Sequence, residues 1–182
     1  MGTLDNLLSG FIGASIGAAA SILGGIWAAK MNIKAQNIAL TKQDEERKKI
    51  KIEALRVSSK VVRSEIMASV IESIRASSGG ARGLAIGSAY TEHFKNLIEL
   101  LSADDLALLY KIYGHIERLK LDFYNYDSNS AFNSLGRNSI EFLKELFGEK
   151  YKDILNANLG ASEMIEAMKK EYRELMIKLE GF

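Results

Sequence analysis

The chain has 182 residues, 47% hydrophobic and 26% charged, with a formal net charge of +1. That length suits one membrane-crossing segment plus one domain of ordinary size, and the composition excludes wholesale disorder. Cysteine and proline are both absent. The first absence excludes disulfides, thiol catalysis and thiolate metal sites. The second favours long helices, because every residue keeps the backbone N–H that a helix needs.

The first predicted element is a transmembrane helix over residues 6–29. No residue between Asp5 and Lys30 is charged. As a helix these 24 residues rise about 36 Å, enough to cross a hydrocarbon core of about 30 Å with some tilt. Trp27 suits the interface at the downstream end, and Lys30 and Lys34 sit at lipid headgroup depth. A secretory signal peptide needs a basic start, whereas the only charge here is Asp5. A myristoylation signal wants Ser or Thr at the sixth position, where Asn6 stands. The alternative of a buried helix in a soluble protein draws on the abundance of Ala and Gly.

Charge sets the expected orientation. From Lys30 to Lys51 there are seven Lys or Arg against three Asp or Glu, a net of +4, while the rest of the chain after Lys51 carries −2. The positive-inside rule keeps the basic side in the cytoplasm. The expectation is a single-pass protein of the cell inner membrane, N-terminus outside and C-terminal domain cytoplasmic.

Small residues within the span are ordered. Gly13, Gly17, Ser21 and Gly25 step by four, and Gly10, Ala14, Ala18 and Ala28 widen the stripe. Small residues let helix backbones approach closely, and in lipid such packing drives association. The spacing resembles the glycine-zipper pattern of self-associating membrane helices, which covers the anchor alone and identifies no family. It implies a homo-oligomer interface at Gly10, Gly13, Gly17, Ser21 and Gly25.

Residues 31–76 read as one stalk helix. Its first part is polar, with acid-to-base pairs such as Asp44–Lys48 at i,i+4. From Ile52 the pattern turns amphipathic, through Leu55, Val62, Ile66, Val70 and Ile74. A coiled coil is the lesser reading here, since Ser59 occupies a seam position and the repeat is not sustained. The basic stretch reads as a topology signal. Its acids are interleaved and it lacks aromatics, so nucleic acid is not an expected partner.

The run Ser77–Gly83 marks a helix end and a loop. It lacks the Lys-Ser/Thr ending of a phosphate-binding loop. Beyond it, residues 84–182 are expected to form a cytoplasmic helical bundle with no sheet. The second helix is predicted over 84–101, with Tyr90, Phe94, Leu97, Ile98 and Leu101 on one face. Ser102 is the expected N-cap of a third helix reaching about Tyr126, with Asp104 and Asp105 in its first turn. Its apolar face is Leu106, Leu109, Tyr110, Tyr113, Ile116 and Leu119. Asp127–Ser130 reads as a turn. Residues 131–158 read as one or two helices bent near Gly148. A single last helix after Gly160 carries Met164, Ile165, Met168, Tyr172, Leu175, Met176 and Leu179.

Nothing in this pattern marks catalysis, a cofactor or a metal. His93 and His115 are the only histidines, and neither has the Glu three residues earlier that a di-iron bundle uses. The expected function is a membrane-anchored, self-associating scaffold or interaction protein, not an enzyme, whose partners are membrane lipid, itself and a cytoplasmic protein. The competing expectation is an oligomeric pore or membrane-acting effector. The overall look resembles small anchored helical proteins of bacterial and phage origin.

Overall fold

The computed structural model describes residues 2–80, 90–125 and 129–182, without the side chains of 2–9, 12, 19 and 129–133. The expected helix start near Leu84, the loop past Gly80 and the residues 126–128 lie outside this description. Every described element is helical, and no strand occurs among the described residues. The chain divides into two compact units, Met1–Lys51 and Ile52–Phe182.

The helix α1 runs over Gly2–Ser77. It ends just before the pair Gly79-Gly80. Gly79 takes φ 80°, a conformation open to glycine because it lacks a Cβ. Gly79 N–H then donates to Ala76 O at 3.1 Å and Gly80 N–H to Arg75 O at 2.8 Å. These paired bonds are the Schellman closure, which satisfies carbonyls that a helix end would otherwise leave bare.

In the second unit α1 buries Val62, Ile66 and Val70. Ile52, expected on the same stripe, is 63% exposed. The short α2, Tyr90–Leu97, buries Phe94 and Leu97. It stops four residues before the predicted end. Leu100 and Leu101 both turn back to Leu97 O, so Leu101 is buried while Ile98 faces out at 53% exposure.

The long α3, Ala103–Tyr124, begins at the predicted cap, Ser102. It packs against α4, Asn129–Phe147. Lys111 meets Glu145, the His115 ring meets Phe142, and Asp122 accepts from Ser134 and Asn138. Residue numbers rise on one helix as they fall on the other, so the pair is antiparallel. Asn129 and Ser130 belong to α4 rather than to the expected turn. Tyr110 of α3 is largely exposed, although its ring meets the edge of Phe94 at 5.5 Å.

The bend at Gly148 is present, with φ 58° leading into a 3-10 turn, Gly148–Lys150, and then α5, Tyr151–Asn156. The single last helix expected from the sequence is two. The helix α6 covers Ala161–Ala167 and α7 covers Lys170–Glu180. Met168 and Lys169 between them are extended. Lys169 N–H leaves the helical ladder and donates to Leu146 O at 2.8 Å. All seven apolar residues assigned to this stretch are nevertheless buried.

Candidate self-association segment and polar clusters

The first unit carries the residues singled out from the sequence. The helix is long and apolar enough to cross a membrane, and its most apolar window contains no buried residue. Phe11, Ile16, Ile22, Leu23, Ile26 and Trp27 are each more than 60% exposed. Gly10, Gly13, Gly17, Ser21 and Gly25 are exposed too, as are Lys30 and Lys34. At about 100° per residue the five small residues fall within an arc of roughly 120°. Trp27, Lys30 and Lys34 occupy a separate arc.

Glycine inside a helix is roughly 0.8–1 kcal/mol less favourable than alanine. A close packing partner would explain that cost. None lies among the described residues: a Cβ built on Gly10, Gly13, Gly17, Gly24 or Gly25 meets nothing described within 4 Å. Gly24, which falls in the same arc, was absent from the sequence-based stripe. Two hydroxyls here close on their own helix. Ser15 Oγ donates to Phe11 O at 2.8 Å, and Thr41 Oγ1 to Asn37 O at 2.9 Å. Such back-bonding removes a hydroxyl's need for water.

The second unit holds polar clusters that join elements distant in sequence. Asp105 completes a capping box, with Ser102 Oγ at 2.7 Å and Ser102 N at 3.0 Å from its carboxyl. Lys178 Nζ of α7 reaches both its oxygens at 2.7 and 2.8 Å. Burial pushes this carboxyl's pKa up, but the bonds from Lys178 and Ser102 outweigh burial and hold it below the usual range. The unfolded chain therefore binds the proton more tightly, so the cluster's stabilisation is present above the unfolded pKa and is lost as pH falls through the folded one. Asp105→Asn should cost about 1–2 kcal/mol at pH 7. The gap from wild type should narrow below about pH 4. Urea melts at pH 7 and pH 3 check this; an unchanged gap at pH 3 would contradict it.

Glu145 is the second hub. Its Oε1 accepts from Lys111 Nζ at 2.8 Å and from the Tyr172 hydroxyl, with Lys169 Nζ 3.7 Å away. Burial raises its pKa, yet the bonds from Lys111 and Tyr172 lower it further. Burial and the bond to Glu145 both push the Tyr172 phenol up, so it remains a donor. Tyr113 is similar: buried, and bonded to Glu65 at 2.6 Å. Its ring stacks on Tyr90 at 4.6 Å and meets the edge of Phe94 at 4.8 Å.

His93 and His115 are placed in packing roles. Burial first, and the nearby Arg118 and Lys111, lower the His115 pKa, so the ring is held neutral against Phe142. His93 Nδ1 lies 3.2 Å from Ser58 Oγ, and Asn96 Nδ2 donates to the same oxygen at 2.9 Å. The residue Ser58 is only 1% exposed, so this Ser–His contact joins α1 to α2 rather than facing a substrate. Residues 27 to 38 positions apart make these contacts, and no local pattern marked them. Among the described residues, no group of three or more His, Asp or Glu stands ready to hold a metal ion. Compared with family models, with curated proteins and with solved structures, the chain finds no match.

Proposed function

We propose that this chain is a single-pass membrane scaffold. In this reading residues 6–29 of α1 cross the bilayer with the N-terminus outside. The small-residue stripe joins copies side by side. A juxtamembrane stalk and a helical bundle then stand in the cytoplasm, where the bundle engages a protein partner. The observation that carries the reading is the set of helical glycines with open surroundings. Their helix-propensity cost has no return among the described residues, whereas close approach of a neighbouring helix in lipid supplies one. Exposed apolar side chains and the self-satisfied Ser15 hydroxyl support placement in hydrocarbon, where unpaired polar groups cost several kcal/mol. Trp27 at the interface and Lys30 and Lys34 at the headgroups support the inward-facing orientation.

Dye-filled liposomes carrying the purified chain separate the scaffold from a pore. The scaffold predicts intact vesicles at protein levels where the oligomer is present. Leakage that Gly17→Leu with Gly25→Leu abolishes would replace the scaffold by an oligomeric pore.

A further inference from the structure

Past the apolar window, α1 remains a fully exposed helix through Lys51. Its polar composition hides a second pattern. Ile22, Ile26, Ile33, Leu40 and Ile50 are each more than half exposed. Their spacings of 4, 7, 7 and 10 all fit one alternating three-and-four repeat. Ala29, Gln36 and Gln43 occupy the intervening places, so from Ile22 to Gln43 the seam carries no charge. Between Asn32 and Lys49 the large apolar residues are Ile33, Ile38 and Leu40, and only Ile38 lies off the seam. This register differs from the one through Ser59, Val62 and Ile66, which turns into the core of the second unit.

We infer that the Ile22–Ile50 seam of α1 pairs with the same seam of a second copy, parallel and in register, as a short coiled coil. The inference rests on the self-association reading above and names the geometry of that association from the downstream end of the span into the juxtamembrane helix.

Three observations select a second copy as the occupant. First, a shallow concavity on this face is lined by Gln36, Ala39, Leu40 and Gln43. Those positions, i, i+3, i+4 and i+7, are the four that form the hole for one knob of a facing coiled-coil helix. In a parallel in-register pair that knob is Leu40 of the partner copy, and Ala39 is small enough to leave the hole open. Second, the charges complement. Glu46 stands beside the seam and Lys51 lies five residues on, the offset at which flanking residues of two parallel helices meet. Parallel register also sets Arg47, the one charged residue within the seam, against Arg47 of the other copy, and the adjacent Glu46 of each copy flanks that like-charge pair. Third, parallel register sets Gln36 against Gln36 and Gln43 against Gln43. Each amide is both donor and acceptor, so like pairs satisfy one another and fix the register. The i,i+4 row Gly13, Gly17, Ser21, Gly25 continues at Ala29 and Ile33, which joins the two surfaces.

A chain without cysteine allows a clean test. Single variants Gln36→Cys, Leu40→Cys and Gln43→Cys sit on the seam; Thr41→Cys and Glu45→Cys do not. The full chain in mild detergent is oxidised, or treated with a short bis-maleimide. All three seam variants should link into dimers at least tenfold faster than the two controls, and adding Leu40→Asp should remove the Gln36→Cys link. Linking at only one seam position indicates antiparallel packing and overturns the inference. Equal linking at seam and control positions overturns it as well. An intact oligomer without any seam links overturns the seam alone. A monomer throughout overturns the seam together with the self-association beneath it.

Discussion

Phe142→Ala is expected to cost the second unit about 3–5 kcal/mol, the range for emptying a fully buried aromatic site. Phe142 is 0% exposed. Its ring lies 5.9 Å from that of His115, midway along the α3–α4 pair. Removing it leaves a cavity between two helices whose positions are also held by the Glu145 and Asp122 contacts. Those contacts limit how far the helices can collapse into the space. A domain's whole stability is about 5–15 kcal/mol, so one such loss is a large fraction of it. Ile177→Ala, at a side chain 52% exposed, should change stability by less than about 0.5 kcal/mol. Trp27 lies in the other unit, so tryptophan fluorescence does not report this transition. Near-ultraviolet circular dichroism of buried Tyr113 and Tyr172 does. Coincident melts for Phe142→Ala and wild type would contradict the described core.

The second large effect concerns association rather than folding. Gly17→Leu with Gly25→Leu should leave the helix at least as stable, because leucine is the better helix former by most of a kcal/mol per position. Beyond its own stretch of helix backbone, neither new Cβ comes within 4 Å of a described atom. The pair also makes the window more apolar. Loss of helicity and loss of partitioning into bilayer are therefore both excluded as explanations, and any change in mass must come from contacts between chains. The expected result is self-association weakened by tenfold or more. Leu23→Ala, on the opposite face, should leave it unchanged.

Legibility from sequence followed the range of the interactions. The Ser102 cap was readable because its partner, Asp105, is three residues away. The Gly148 bend and the Gly79 closure were readable because glycine is the residue those backbone conformations require. The break between α6 and α7 was not. Met168 and Lys169 carry no helix-breaking signal, and the bond that holds the break, Lys169 N–H to Leu146 O, comes from another helix. The early end of α2 failed for a related reason. Ile98 fits the apolar period, yet the chain turns after Leu97 to bury Leu101 instead. Among the singled-out residues, the stripe was legible as spacing. The open surroundings of its glycines became visible only with the helix in hand. Glu145 and Ser58 carried no signal at all, because their partners lie 27 to 38 positions away.

The central claim is that copies of this chain associate within and beside a membrane. The mass of the particle in mild detergent, with bound detergent subtracted, tests it most directly. A defined multiple of the 20.1 kDa chain, reduced to one chain by Gly17→Leu with Gly25→Leu, is the predicted result. A single chain per particle at every protein concentration would contradict the claim.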